Sequence, residues 1–446
     1  MEQNKLNFGR HFLKLAFYIL LIGLIAGVMS AITYVVPNFV KDALGLVKLR
    51  PLHVSSVMFW IILGATGCVY ISLSFIAKKP AFNVITKVQF ILWIIALIGI
   101  LSSYFKGDFG GREYWEFNPI WALPIFLSWI LFLINFIHMA NSIKKWPVYV
   151  WMWMTGIVFF LFVFIENYLW IFPYFREHFI TDMTIQWKVN GSLVGSINQM
   201  LYGTAFFLMD KINKNDKNKV GFSKLAFGMY FLGLANLMFN WGHHIYTLPT
   251  DSYIRYIAYA VSMTEWVFFA KIIYNWRKSV VDVQKNYHYF PYRFLMAADF
   301  WVFVNMGQAI LMSIPILNIY THGTHVTVAH SMGTTIGINS MIIFSAAYMF
   351  LTPEPITEIK PGKLLTTVFW MIQIALFTLF ISLDIAGITK GIWQMTPNHS
   401  SFSEMMESLK PMFIVFVISG AVLLIGLFLF VGTLLTFMKI NKNLKE

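Results

Sequence analysis

One feature recurs twelve times along this chain: an apolar stretch long enough to cross a lipid bilayer. Hydrocarbon about 30 Å thick takes about 20 apolar residues to cross as a helix. Stretches of that length fall at 13–36, 52–77, 86–105, 119–142, 148–172, 188–209, 221–247, 252–276, 292–320, 325–351, 365–389 and 411–438. Lipid offers no hydrogen-bond partners, so such runs must be helices that satisfy their own backbone. The expectation is an all-α polytopic membrane protein, twelve transmembrane helices in a single domain over 1–446. Only 12% of the residues are charged, against about 25% in a soluble domain, and mean hydropathy is +0.66. The basic start MEQNKLNFGRHFLK runs straight into the first span, so no cleavable leader is expected.

The net charge of +13 is placed by topology. Lysine and arginine gather in the even-numbered connections: Lys78, Lys79 and Lys87; Lys144 and Lys145; DKINKNDKNK at 210–219; Arg277, Lys278 and Lys285; Lys360 and Lys363. Basic connections stay on the cytoplasmic side, so both termini are expected there. The charge then serves orientation and anionic-lipid contact, and no nucleic-acid partner is expected. Cys68 is the only cysteine, which excludes internal disulfides, thiolate zinc sites and iron–sulfur clusters. With no CxxCH motif, any haem is held non-covalently, and any c-type cytochrome partner is a separate chain.

Polar residues inside the spans mark the functional depth. His53 lies at the outer start of span two, Asn190 at the outer start of span six, and His243 and His244 near the outer end of span seven. Glu265 lies deeper on span eight, and His330 and Met332 one to two turns into span ten. Ionisable groups are costly at such depth and mark function by default. Five helices thus bring ligands to the outer half of the membrane, which points to a buried metal or haem centre. His330 and Met332, two residues apart, are turned by roughly 200° on a helix, so one helix presents ligands to both sides. The adjacent histidines are half of a metal site or else an interfacial pair. Asn190 is either a further ligand or a helix cap. Glu265 is a metal ligand, a proton carrier or a structural hydrogen-bonding group, because an unpaired carboxylate in apolar surroundings takes up a proton.

The stretches LRPLHVSSVMFW, GGREYWEFNP, NWGHHIY, SMTEWVFF and THGTHVTVAH resemble the haem–copper oxidase superfamily subunit I, and within it the catalytic large subunit of bacterial nitric oxide reductase. The resemblance runs through essentially all twelve spans and implies that family's helix bundle. It implies His53 as an axial ligand of a low-spin haem b, with Met332 as the other. It implies His330 as proximal ligand of a high-spin haem b, and His243 and His244 as ligands of a non-haem iron, copper being the other choice. Glu265 matches a carboxylate beside the binuclear centre. GREYWEF resembles a calcium-binding segment that bridges haem propionates, with Glu113 as the calcium ligand and Arg112 as a propionate partner. The departures are specific. Asn190 stands where the family's third histidine is usual, Val194 where the reductases carry a glutamate, and Met332 where a second histidine of an HxH pair would stand.

The resemblance implies reduction of NO to nitrous oxide in a bacterial cytoplasmic membrane, with the metal centres toward the outer face. The electron donor is expected to be a membrane-anchored cytochrome c or another separate chain, and Glu265 to relay protons. A terminal oxidase reducing dioxygen is the competing reading. It calls for a tyrosine about two turns before the histidine pair, where Asn236 and Leu237 stand and Tyr230 is further off. A catalytically silent haem protein for electron transfer or NO sensing is a third. A transporter is disfavoured, since the spans show no obvious inverted repeat.

Overall fold

The computed structural model describes residues 7–213, 219–262, 264, 266–353 and 362–443. Among them the long elements are all helical: α1 (Asn7–Ile32), α2 (Gly45–Ile76), α3 (Asn83–Lys106), α4 (Ala122–Ala140), α5 (Val148–Glu166), α6 (Phe179–Ile212), α7 (Lys224–Phe239), α8 (Ser252–Ser262), α9 (Trp266–Ser279), α10 (Tyr289–Ser313), α11 (His325–Met332), α12 (Met341–Leu351), α13 (Lys363–Met395) and α14 (Phe402–Asn443). Ten of the twelve expected spans are helical segments apolar enough to cross a membrane. The other two lie on α6 and α7, which carry or lead into Asn190, His243 and His244. Polar residues such as Gln186, Lys188, Asn190, Asn198 and Gln199 make α6 less apolar than its neighbours.

Three boundaries differ from the sequence expectation. The seventh span leaves α geometry at Phe239, and Asn240–Ile245 winds as a 3-10 turn. The ninth ends at Ser313, and a separate short helix, Pro315–Thr321, follows. Proline disfavours helical geometry in the residue before it, and Ile314 is indeed extended, with ψ 119°. The tenth is α11 and α12 joined by a π-helical stretch, Gly333–Ser340. π-helical segments are rare and are frequent at functional sites.

The chain divides into two compact units, 1–16 with 58–288, and 17–57 with 289–446. In the first, α5 and α6 approach closely because glycines remove side chains at the contact. A Cβ on Gly156 would lie 2.5 Å from the Ser196 carbonyl oxygen, and one on Gly203 3.0 Å from the Trp153 ring. Small residues at contacts are the membrane counterpart of a hydrophobic core. Buried polar groups there are networked: Tyr70 donates to Gln89 Oε1 (2.6 Å), and Asn135 Nδ2 donates to Tyr70 Oη (3.2 Å) and Thr86 Oγ1 (3.0 Å).

In the second unit, α11 and the π stretch pack between α10 and α13. Cβ atoms on Gly333 and Gly337 would strike Asn305 and Trp301 of α10. One on Gly387 of α13 would lie 2.2 Å from the Val326 nitrogen. The tenth span is therefore clamped on both sides, by side chains of α10 against its π stretch and by the backbone of α13 against the start of α11.

Candidate metal centre

In the second unit, His53 is held by its Nδ1, 2.7 Å from the Gly23 carbonyl oxygen. A ring nitrogen committed to a carbonyl leaves Nε2 as the nitrogen available to a metal and fixes the ring's orientation. The seat depends on Gly27, one turn beyond Gly23, where a Cβ would lie 2.6 Å from His53 Nδ1 and 2.7 Å from Cε1. Gly23 and Gly27 thus supply the acceptor and the room for one imidazole.

His330 and Met332 both lie within the α-helical part of their span, ahead of the π stretch, so the opposed arrangement expected from their spacing is kept. Both side chains are half-open. The His330 Nδ1 is buried without a hydrogen-bond partner. Two half-open donor side chains turned to opposite sides of one helix, in which only Val326 and Ala329 are buried, suit planar groups on either side of it. The His53 seat, the orphaned His330 nitrogen and the soft Met332 thioether make a donor set that fits haem.

In the first unit, His243 and His244 occupy the 3-10 turn with ring centroids 4.1 Å apart and planes 38° from parallel. The tighter winding is the relaxed helix end that lets neighbouring imidazoles converge. His243 Nδ1 lies 3.1 Å from Asn240 Oδ1, which orients the ring. Trp187 of α6 stacks on His244 at 5.1 Å and 6°. One turn later Asn190 is buried, its Oδ1 accepts from Gln186 Nε2 (3.3 Å), and its Nδ2 has no partner. α6 lies against the histidine turn closely enough that a Cβ on Gly191 would be 2.8 Å from Trp241 Cβ. Ser192 Oγ donates to the Leu237 carbonyl (3.1 Å), fixing the register.

Asn190 is thus no N-cap, since α6 begins eleven residues earlier at Phe179. Among the described residues, no group of three His, Cys, Asp or Glu side chains is placed to hold a metal. A metal held by the two histidines would need a donor of another kind, and Asn190 is an amide on the adjoining helix. Glu265 lies outside the described residues.

Arg112 and Glu113 sit at a turn closed by an isolated bridge between Arg112 and Trp115. Arg112 Nη2 contacts both Asp182 oxygens (3.0 and 2.8 Å), and its guanidinium lies 5.2 Å from the Trp170 ring centre. Glu113 is half-buried beside Tyr114, whose φ is +70°. Sequence reasoning missed Asp182, Trp187 and the Lys188–Glu166 ion pair. Their signal was the polar run at the start of α6, DMTIQWKVN, too hydrophilic for lipid.

The family model for cytochrome c and quinol oxidase polypeptide I matches residues 7–422. Cytochrome c oxidase subunit 1 of Rhodobacter capsulatus is 22% identical, covering 91% of this chain and 80% of that protein. A nitric oxide reductase subunit of Stutzerimonas stutzeri is 23% identical, covering 90% of this chain and 88% of that protein. The solved structure of a heme-copper terminal oxidase dimer matches with a TM-score of 0.76 at 14% identity, covering 98% of this chain and 84% of that one. The helical fold agrees with these matches, and the chain belongs to the cytochrome c and quinol oxidase polypeptide I family, the subunit I of the haem–copper oxidase superfamily, whose members are oxidoreductases that bind haem and a metal centre.

Proposed function

We propose that this chain is the catalytic subunit of a membrane-bound nitric oxide reductase, in which two NO, two electrons and two protons give nitrous oxide and water. The observation that carries this reading is where the tyrosines are. The histidine-bearing segment 224–246 has two, Tyr230 and Tyr246. Tyr230 Oη is 2.8 Å from Thr155 Oγ1, and Tyr246 Oη donates to the Arg255 carbonyl (3.2 Å). Both hydroxyls are engaged elsewhere, so neither serves the histidine pair as a phenol donor for dioxygen cleavage.

His53 and Met332 are assigned as axial ligands of a low-spin haem b, and His330 as the ligand of a high-spin haem b. His243 and His244, with Asn190, are assigned to a non-haem iron, copper being the alternative. Bound there, these groups supply electron transfer and redox-active seats for the two NO molecules. The protein's part is positioning, which removes the entropy cost of bringing two reactants together. Gly23 and Asn240 hold one ring nitrogen each of His53 and His243, and Trp187 covers His244. Two imidazoles and a neutral amide leave a divalent ion's charge uncompensated in low dielectric, which is expensive. Glu265, the acidic residue within the span that follows the histidine pair, is assigned to offset that charge and carry protons.

Glu113 is assigned to calcium. Arg112 is assigned to a haem propionate, since its bonds to Asp182 use one nitrogen of a five-donor guanidinium. The electron donor is a separate chain, a membrane-anchored cytochrome c, docking on the outer face. The membrane is the bacterial cytoplasmic one, with both termini inside.

Anaerobic turnover of the purified complex tests the reading. One nitrous oxide formed per two NO consumed, at a rate well above dioxygen uptake, is the expected result. Faster dioxygen reduction to water would replace it with the oxidase reading, and no turnover of either gas would make the protein a silent haem carrier.

A further inference from the structure

An acidic residue lies well inside α13. Asp384 is the 22nd residue of a 33-residue helix, about 16 Å from its outer end at 1.5 Å per residue. It is half-buried, and among the described residues no cation pairs with it. Among the described residues its side-chain hydrogen bond is with Gln308 of α10, whose amide Nε2 is 2.6 Å from Asp384 Oδ1. That separation is short for N–H···O, which clusters near 2.9–3.0 Å, or about 2.7–2.9 Å when charge-assisted. It is ordinary for O–H···O, which clusters near 2.7–2.8 Å and reaches about 2.5 Å.

The orientation of the Gln308 amide is an assignment, because its oxygen and nitrogen are nearly alike in shape. As placed, Gln308 Oε1 is buried with no donor, and Asp384 would be a carboxylate with one neutral partner. Turning the amide brings Oε1 against Asp384 at the same short distance, where a carboxylic acid proton satisfies it. The turn also directs Nε2 to the place Oε1 held. Three residues earlier on α10, Asn305 Oδ1 is a second buried acceptor without a donor. Asn305 Nδ2 donates to Thr334 Oγ1 (2.7 Å), which donates to the His330 carbonyl (3.2 Å). One proton on Asp384 thus pairs an acceptor otherwise orphaned, three residues along α10 from the Asn305–Thr334 hydrogen bonds that reach the His330 carbonyl.

We propose that Asp384 is a membrane-embedded proton-binding site: a neutral carboxylic acid that donates to Gln308 and stores a proton beside the His330 helix. Its partly open edge is where the proton enters and leaves. The site does not depend on which gas the protein reduces.

Infrared spectroscopy of the purified full-length protein in lipid at neutral pH, with and without carboxyl-labelled ¹³C-aspartate, tests this. The expected result is a protonated-carboxyl C=O band that moves with the label, is missing in Asp384→Asn, and shifts in frequency in Gln308→Leu. Should Asp384→Asn fail to fold by its helical circular dichroism, Asp384→Glu serves instead: the labelled band should lose intensity while an unlabelled carboxyl band appears. A labelled band that is unchanged in the folded Asp384 variant, or no protonated aspartate band at all, would overturn the proposal.

Discussion

His53 Nδ1 lies 2.7 Å from the carbonyl oxygen of Gly23, thirty residues earlier in the chain. This bond sets which imidazole nitrogen remains for a metal, and Gly27 next to it leaves space for the ring. Gly27→Val should therefore push the ring out of its seat. Overpacking a tight contact costs about 1–3 kcal/mol, and here the cost falls on ligand geometry. The expected outcome is loss of the low-spin haem spectrum, with the high-spin signal kept, in the absorbance of the purified variant.

Met332 opposes His330 on one helix, and thioether ligation raises a haem potential relative to imidazole. Met332→His should lower the low-spin haem's midpoint potential and abolish the near-infrared band of methionine-ligated ferric haem. Redox titration with near-infrared spectroscopy reads both. An unchanged spectrum would identify another ligand.

Trp187 stacks on His244 at 5.1 Å, and such ring pairs are worth about 0.5–1.5 kcal/mol beyond their buried area. Trp187→Ala should weaken metal retention by roughly 2- to 13-fold, since about 1.4 kcal/mol is tenfold. Chelator competition measures this, with haem content as the control that should not move.

The spans were legible because lipid permits few alternatives, and ten of twelve stand as apolar helices. The remaining two blurred because buried polar side chains and the ion pairs at the start of α6 interrupt their apolar character. Residue types announced His53, His330 and the histidine pair. What positions them was silent, because a backbone carbonyl such as Gly23, a glycine seat such as Gly27 and a 3-10 turn at Asn240–Ile245 carry no side-chain signature. The π stretch at Gly333–Ser340 likewise packs against Asn305 and Trp301, neighbours that only the fold brings together. Asp384, a charge inside a span in FISLDIAGITK, was not among the polar residues singled out from the sequence, and its partner Gln308 came only with the fold.

Asp210, just past the 188–209 stretch, accepts from the backbone of Val220 (2.6 Å) and Gly221 (3.0 Å). Burial nonetheless pushes its carboxyl up to about 6. The unfolded chain binds that proton less tightly, so the protonated group favours the fold at pH below about 4, and this contribution is lost as pH rises to about 6. Thermal midpoints between pH 4 and 7 should therefore fall more steeply for the native protein than for Asp210→Asn. Parallel curves would show that Asp210 does not titrate there.

Metal content per polypeptide tests the central assignment most directly. Two haems and one additional iron, with copper absent, are expected from His53 with Met332, from His330, and from His243 and His244 with Asn190. Equimolar copper, or two haems with no third metal, would contradict it.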